Sequence, residues 1–254
     1  MGLGFVGSAT KDVLSEHHEV FGYDPAIEGY KDLSVLEKAQ VIFLCVPTPP
    51  KDSGEIDLSY IQGALESIKG LGTNPVVCIK STIIPGTSDE LEATYNIRIV
   101  HNPEFLREKY ALEDFENSDR VILGGENDSR EIIKVAYLPI FPEEKIKYVM
   151  LTNKQAEMVK YITNIFLSTQ VSFANEMWNI CNLLGIDYDE IEKVINMDDR
   201  LGRHINVPGP DGKLGFGGKC LPKELKAMIY HVRERGYIPT LLQESWRFNQ
   251  TQRK

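Results

Sequence analysis

Residues Gly2–Gly7 read GLGFVG, and a helix-like stretch from about Ser8 connects them to residues 19–24, which read EVFGYD. In a Rossmann fold the first glycine of such a GxGxxG makes a tight turn, the second admits a pyrophosphate, and the third lets helix and strand pack closely. Asp24 stands twenty residues after Gly4, where a carboxylate accepts hydrogen bonds from a ribose 2′-hydroxyl and repels a 2′-phosphate. The stretch therefore predicts a dinucleotide site that prefers NAD to NADP.

Short β-rich runs alternate with helical stretches over the first 152 residues. Runs such as AQVIFLCVP (39–47) are apolar nearly throughout, as expected of strands that are buried on both faces. This alternation predicts an α/β fold with a Rossmann-like, doubly wound parallel sheet. Only Met1 precedes Gly2, so the strand that should lead into the glycine motif is nearly absent from this sequence. The predicted strand runs are EVFGYD, AQVIFLCVP, PVVCIKST, IRIVHNPE, RVILGG and KYVMLT.

The pattern changes after about Asn153, where helical spacing replaces the alternation. Residues 154–184 contain neither Pro nor Gly, and Gly185 supplies a stop, which predicts one long helix. A short helix (188–195), a Gly- and Pro-rich loop (202–218), a helix from Pro222 to near Gly236 and the beginning of another helix (241–254) follow. The sequence thus predicts a Rossmann domain over residues 1–152 and an all-α central domain over residues 153–254.

Composition and charge limit the kinds of partner. Apolar residues make up 42% and charged residues 26%, the balance of an ordered globular protein. The net charge of −9 argues against a broad surface for nucleic acid or anionic membrane, but it allows a local pocket for an anionic small molecule. No apolar run approaches the roughly 20 residues needed to cross a bilayer, and the N-terminus lacks the features of a signal peptide. We therefore expect a cytoplasmic protein.

The four cysteines show neither CxxC spacing nor a matching set of histidines, so neither a zinc site nor a disulfide framework is indicated. Cys45 and Cys78 lie in apolar strand-like runs and Cys181 lies in a helical pattern, which predicts unreactive core thiols. Cys220 differs, because it stands in a glycine-rich loop before a helix and between two lysines. A helix N-terminus and neighbouring positive charge both stabilise a thiolate.

Five further segments carry a specific resemblance. They are CVPTP (45–49), KSTIIPGT (80–87), NPEFLRE (102–108), KYITNIFLS (160–168) and GFGGKCLPKE (215–224). In this order they resemble the UDP-glucose and GDP-mannose dehydrogenase family over essentially the whole chain, and VPGPDG (207–212) favours the UDP-glucose branch. The resemblance implies an NAD-dependent enzyme that oxidises a sugar C6 alcohol to a carboxylate. It also implies an aldehyde intermediate that is held as a covalent thiohemiacetal.

The resemblance assigns catalytic roles to particular side chains. Cys220 occupies the position of the nucleophile. Lys160 and Asn164 match the pair that assists proton removal and stabilises an oxyanion, and their i, i+4 spacing places them on one helical face. Without the resemblance, that face would be interpreted as an ordinary solvated one. Glu104 matches a glutamate that activates water for hydrolysis of the final thioester, and Thr82 matches a residue that helps to hold that water.

Three other positions are matched less completely. Glu224 departs from the family pattern, which usually has an aspartate four residues after the cysteine. The added methylene puts full competence in doubt, since a displacement of about 1 Å can cost about a hundredfold in rate. Glu108 falls on a family site position, although an acidic residue near a helix entry has a structural explanation too. Arg200 resembles the arginine that reaches the neighbouring active site of a dimer.

The resemblance also implies ligand contacts. Cofactor contacts are implied for Gly2, Gly4, Phe5, Val6, Gly7, Asp24, Val46, Pro47, Thr48, Ser81 and Thr82. Substrate contacts are implied for Glu104, Phe105, Leu106, Glu108, Lys160, Asn164, Arg200, Phe216 and Gly217.

Complete family members continue through a long connecting helix into a second α/β domain that grips the nucleoside diphosphate. We expect this chain to end inside that helix, without the UDP-binding domain, and to form a homodimer. Three hypotheses follow: an enzyme that makes UDP-glucuronate, the same chemistry on GDP-mannose or an N-acetylated UDP-hexosamine, or a non-catalytic NAD-binding module that pairs with a partner subunit. The presence of Cys220, Lys160, Asn164 and Glu104 together favours an enzyme.

Overall fold

The computed structural model describes residues 1–198, 201 and 205–253, which form two compact units. The first unit comprises residues 1–49 and 56–160, and the second comprises residues 50–55 and those from 161 onward. The long helix α6 (Asn153–Leu184) contributes its first turns to the first unit and the remainder to the second. It matches the long helix that the sequence predicts.

The first unit is built on a five-stranded sheet whose spatial order follows the order of the chain. The first three strands are mutually parallel, and so are the last two. The third and fourth strands meet in antiparallel orientation at His101 and Gly124, so the sheet is mostly but not entirely parallel. The α/β prediction is confirmed, with β1 (Val41–Leu44), β2 (Val76–Ile79), β3 (Ile99–His101), β4 (Arg120–Gly124) and β5 (Lys147–Leu151).

The prediction of a strand at EVFGYD is wrong. A strand requires a ladder of backbone hydrogen bonds with a neighbour, but Gly2 N donates a single bond to Tyr23 O at 2.9 Å. Met1, the preceding residue, bonds instead to β1 and the residue after it. Met1 N donates to Phe43 O and Met1 O accepts from Cys45 N, both at 2.8 Å. A cavity of about 1020 Å³, whose lining includes Val20 and Phe43, extends beside β1. Residues 19–24 therefore lie beside the sheet without pairing along it.

Helices cover both faces of the sheet. Alternate residues of β2 point to opposite sides, so that Val77 and Ile79 join one buried cluster while Val76 and Cys78 join the other. The first cluster includes residues of α2 and α3, and the second includes residues of α1 and α5. This two-sided burial explains the apolar strand runs. The helices are α1 (Phe5–Ser15), α2 (Ser59–Gly70), α3 (Thr87–Tyr95), α4 (Ala111–Glu116) and α5 (Asn127–Tyr137).

The second unit is helical in its described residues, as the sequence predicts. Gly185 adopts a φ of 70° directly after α6, a conformation that favours glycine and ends the helix. The next helices are α7 (Tyr188–Ile195), α8 (Leu221–Arg233) and α9 (Thr240–Gln252), and α8 packs against α9. In the part of the chain that is described, no helix combines the length and the apolarity that a membrane crossing requires.

His101, at the end of β3, is a buried titratable residue. It is 1% exposed, and neither ring nitrogen has a hydrogen-bond partner among the described residues. Burial, with smaller contributions from Lys80 and Lys160, lowers the pKa of His101 to about 3. The imidazole is therefore neutral in the folded protein, because a charged ring there would be unsolvated and unpaired.

This burial predicts a specific loss of stability in acid. Between pH 6.5 and pH 3 the unfolded chain protonates His101 while the folded chain does not, so stability falls as pH falls, by up to about 1.4 kcal/mol per pH unit. In a His101→Met variant the free energy of unfolding should depend less steeply on pH between 6.5 and 4. Urea unfolding at several pH values measures this, with the exposed His17→Gln as control. Equal slopes for wild type and His101→Met would contradict the assignment.

Candidate functional site

The glycine turn at the start of the chain has the geometry that a dinucleotide requires. Gly2 adopts a φ of 81°, and a Cβ atom there would lie 2.7 Å from Cys45 O. A Cβ atom on Gly7 would overlap Gly2 O, so only glycine lets α1 approach the turn this closely. At Gly4, by contrast, an added Cβ would meet nothing within 4 Å. The second glycine thus faces open space, where a pyrophosphate could approach the backbone.

The N-terminus of α1 and Asp24 complete this cradle. No side chain caps α1, and its first turn carries no acidic residue, so its free amide groups suit an anionic ligand. Asp24 Oδ2 accepts a hydrogen bond from Leu3 N at 2.8 Å, and Oδ1 accepts one from Ala26 N at 2.9 Å. These bonds hold the carboxylate against the glycine turn and leave lone pairs for a ribose hydroxyl. The residues present therefore fit NAD.

The loops that follow β1 and β2 lie side by side. Thr48 Oγ1 donates to Thr82 O at 2.9 Å, and Ser81 Oγ donates to Val46 O at 2.7 Å. All of these predicted cofactor residues except Val46 are buried. Because β1 and β2 are parallel neighbours, both loops leave the carboxyl edge of the sheet, where α/β folds bind ligands.

The loop after β3 brings two predicted catalytic residues into contact. Lys160 Nζ donates to Glu104 O at 2.6 Å and to Glu104 Oε1 at 3.1 Å. Glu104 Oε2 also accepts from Leu106 N at 2.7 Å, and the Lys160 ammonium lies 5.3 Å from the centre of the Phe105 ring. Glu104 and Lys160 are buried, whereas Glu108 is exposed at the start of a short 3₁₀ turn. The structure thus joins Glu104 to Lys160 as an ion pair that the sequence did not reveal.

A second buried group, which sequence reasoning missed, supports this loop. Asn102 Oδ1 accepts hydrogen bonds from Lys80 Nζ and from the Tyr137 hydroxyl, both at 2.8 Å, while Asn102 Nδ2 donates to Ile122 O. Burial lowers the pKa of the Lys80 ammonium. These bonds fix the residue two positions before Glu104 to β4 and α5. The sequence indicated these residues only in that Lys80 and Asn102 each begin a segment that resembles the family, KSTIIPGT and NPEFLRE.

In the second unit, Cys220 is the N-cap residue of α8, directly before Leu221. It is half-buried, its backbone O accepts from Glu224 N at 2.9 Å, and Pro222 lies in the first turn of the helix. Glu224 is 1% exposed, and its Oε2 accepts from Asn164 Nδ2 at 2.6 Å. The predicted residues Cys220, Asn164 and Glu224 therefore belong to one cluster. The longer glutamate, in place of the family aspartate, reaches the Asn164 amide directly.

The remaining predicted substrate residues have mixed outcomes. Phe216 is 2% exposed and packs against Trp246, with ring centres 6.4 Å apart. Gly217 lies under the Arg253 guanidinium, where a Cβ atom would overlap it. Arg200, the predicted cross-dimer residue, lies outside the described residues.

Comparisons with known proteins agree with this geometry. Residues 26–140 match the NAD binding domain of the UDP-glucose/GDP-mannose dehydrogenase family, and residues 154–251 match its central domain. UDP-glucose 6-dehydrogenase from Rickettsia felis is 36% identical over 200 residues, which are 76% of this chain and 44% of that protein. The chain thus spans about half the length of the curated relatives it matches.

Two solved structures extend the similarity to the fold. A UDP-glucose dehydrogenase from Pyrobaculum islandicum aligns with a TM-score of 0.87 and 28% identity, over 98% of this chain and 67% of that one. A GDP-mannose dehydrogenase from Pseudomonas aeruginosa aligns with a TM-score of 0.70 and 26% identity, over 99% of this chain and 67% of that one. By sequence and by fold, this chain belongs to the UDP-glucose/GDP-mannose dehydrogenase family and carries its NAD-binding and central domains.

Proposed function

We propose that this chain carries the reacting residues of an enzyme that oxidises the C6 alcohol of UDP-glucose to UDP-glucuronate with two NAD. The observation that carries the proposal is Cys220 at the start of α8, one turn before a Glu224 that is hydrogen-bonded to Asn164. A thiol at a helix N-terminus can bind the aldehyde intermediate of a four-electron oxidation covalently and so retain it for the second oxidation. The relatives named UDP-glucose 6-dehydrogenase favour this substrate.

The reaction divides into four balanced steps. Held by the glycine turn at residues 2–7 and by Asp24, NAD would supply the hydride acceptor for each of the two oxidations. In the first, the C6 alcohol loses a hydride and its hydroxyl proton, which gives an aldehyde. The Cys220 sulfur then bonds to the aldehyde carbon, and the carbonyl oxygen takes up a proton. The thiohemiacetal loses a hydride and that proton to give a thioester, and water cleaves the thioester to the carboxylate, the free thiol and one proton, which the base accepts.

Lys160 and Asn164 have the properties that the two oxidations require. They lie one turn apart on α6, so their side chains project from one side of the helix. The Lys160 ammonium and the Asn164 amide are both donors, and a donor stabilises the oxyanion from which hydride departs. Glu224 accepts from the Asn164 amide and thereby fixes its orientation.

Glu104 is the base that we assign to thioester hydrolysis. Its side chain pairs with Lys160, and a carboxylate in this position can take a proton from water. We assign Thr82 to holding that water, although in this structure its carbonyl is engaged by Thr48.

GDP-mannose is the main competing substrate, because the P. aeruginosa GDP-mannose dehydrogenase shares the fold of the whole chain. An N-acetylated UDP-hexosamine would undergo the same chemistry at C6. A non-catalytic NAD-binding module is the alternative of a different class, and the glutamate at position 224 is the feature that favours it. The buried Glu104–Lys160 and Glu224–Asn164 pairs favour catalysis, because burying charges is costly without a role.

The stoichiometry of NADH tests the proposal. Two NADH should form per UDP-glucose, and none with GDP-mannose. Cys220→Ser should slow steady turnover by at least about a thousandfold, because the nucleophile is lost. Cys181→Ser, which alters a half-buried thiol on α6, is the matched control and should leave turnover unchanged. Absence of NADH from UDP-glucose, in a folded sample that binds NAD, would overturn the proposed activity of this chain and leave the non-catalytic module or an incomplete enzyme.

We also propose that the active protein is a homodimer, formed through an apolar stripe on α6. Ile162, Phe166, Phe173, Ile180 and Leu184 are 42% to 64% exposed. At 100° per residue they fall within an arc of roughly 40°, along roughly 33 Å of helix. A long apolar stripe of this kind suits the same stripe on a second copy, related by a twofold axis.

The oligomeric state of variants in the α6 stripe tests whether the stripe forms the dimer interface. A double variant, Phe166→Glu with Phe173→Glu, should convert a dimer to a monomer in sedimentation velocity, because four buried carboxylates would face one another. Asn182→Glu adds a charge to an exposed position on the opposite side of α6 and should remain dimeric. A monomeric wild type, or a dimer that survives the double variant, would disprove this interface.

A further inference from the structure

The backbone of the GFGG segment before Cys220 is held by side chains of α9. Asn249 Oδ1 accepts a hydrogen bond from Phe216 N at 2.8 Å, and Asn249 Nδ2 donates to Phe216 O at 3.0 Å. One buried amide thus satisfies both backbone polar groups of Phe216, as a neighbouring strand would. On the preceding residue, Gly215 N donates to Asn175 Oδ1 of α6 at 2.8 Å. Two consecutive residues of the loop are therefore fixed by asparagine side chains.

Arg253, just after the end of α9, holds the same segment from another direction. Its Nη2 donates to Asp211 Oδ2 at 2.6 Å and to Gly215 O at 3.3 Å. Its guanidinium also lies directly over Gly217, so that a Cβ atom there would overlap it. The Asp211 carboxylate, whose pKa the Arg253 hydrogen bond lowers, keeps the guanidinium in place.

These contacts leave little room for side chains at two of the glycines, while the positive φ of Gly215 and Gly218 favours glycine by itself. A Cβ atom on Gly215 would overlap Asn249 Oδ1, and one on Gly217 would overlap Arg253. Gly217 does not have a positive φ, so its own backbone conformation would accept alanine. At position 217 a methyl group would therefore displace the Arg253 guanidinium without straining the backbone.

We propose that Asn249 and Arg253 are positioning residues that set the Cys220 thiol at the N-terminus of α8. The proposal rests on the proposed function for the role of Cys220, but its geometry is independent of the substrate. Cys220 follows Gly217 by three residues, and α8 itself packs on α9. One helix thereby fixes both the loop that leads to the thiol and the helix that follows it.

This position has an electrostatic consequence. The field of a helix N-terminus falls off within the first turn, so a thiol that moves out of place loses stabilisation of its thiolate. The pKa of Cys220 is therefore expected to depend on Asn249 and Arg253, although neither residue contacts the sulfur in the hydrogen bonds described above. A loop that merely contributed to folding would change stability without changing this pKa.

The rate of Cys220 alkylation by iodoacetamide as a function of pH reports that pKa without any sugar substrate. Peptide mass spectrometry of the full chain separates Cys220 from Cys181, which serves as an internal reference. In Asn249→Ala and Arg253→Ala the midpoint of the Cys220 profile should rise by about half to one pH unit. The exposed residues Gln250 and Arg247 on the same helix provide matched controls, and their alanine variants should leave the midpoint unchanged.

A double-mutant cycle separates direct positioning from a general structural effect. Gly217→Ala alone should raise the midpoint, because the new methyl group meets Arg253. In the Gly217→Ala background, Arg253→Ala should raise the midpoint of the Cys220 profile by less than it does in the wild type, because it relieves the overlap with the new methyl group. This cycle also remains informative if Asn249→Ala fails to fold.

Unchanged midpoints in folded Asn249→Ala and Arg253→Ala, or strictly additive effects in the cycle, would overturn the proposal. A shifted midpoint in a protein that turns over no sugar nucleotide would instead leave the positioning intact and refute only the proposed dehydrogenase activity. The two claims can therefore fail separately.

Discussion

The buried ion pair between Lys160 and Glu104 is the interaction that holds the loop after β3, and the chemistry proposed for the first unit depends on it. A buried ammonium needs acceptors, and Glu104 supplies both its carboxylate and its carbonyl, so removal of the glutamate side chain would leave an uncompensated charge. The pair joins the first turns of α6 to the loop after β3. Asn102, bonded to Lys80 and Tyr137, fixes the same loop to the sheet. Loops at the carboxyl edge of the sheet thus gain the rigidity that catalysis requires.

The second unit meets the same requirement with neutral amides. Asn175 and Asn249 bind the loop backbone, and Arg253 packs over a glycine, so the residues before Cys220 are fixed by side chains from α6 and α9. Amide side chains suit this task because each can donate and accept, and they introduce no buried charge. The cost is that a side chain at position 215 or 217 would overlap Asn249 or Arg253.

Local patterns in the sequence predicted much of this structure. The apolar runs located five strands and the long Pro-free stretch located α6, while GLGFVG with Asp24 stays a prediction of where NAD binds. The strand predicted at residues 19–24 is wrong, because a strand depends on a partner and not only on its own composition. The contacts of Asn249 with Phe216 and of Lys80 with Asn102 were missed for a related reason. They join residues 33 and 22 positions apart, and no periodicity records such pairs.

The central claim is that oxidation proceeds through a covalent bond to Cys220. Intact-protein and peptide mass spectrometry of a Glu104→Gln variant, mixed with UDP-glucose and NAD, tests it most directly. Glutamine keeps an acceptor for Lys160 but lacks the base that hydrolyses the thioester, so the account predicts accumulation of a UDP-glucuronosyl adduct on the peptide that contains Cys220. Formation of NADH without any adduct on Cys220, or an adduct on another residue, would contradict it.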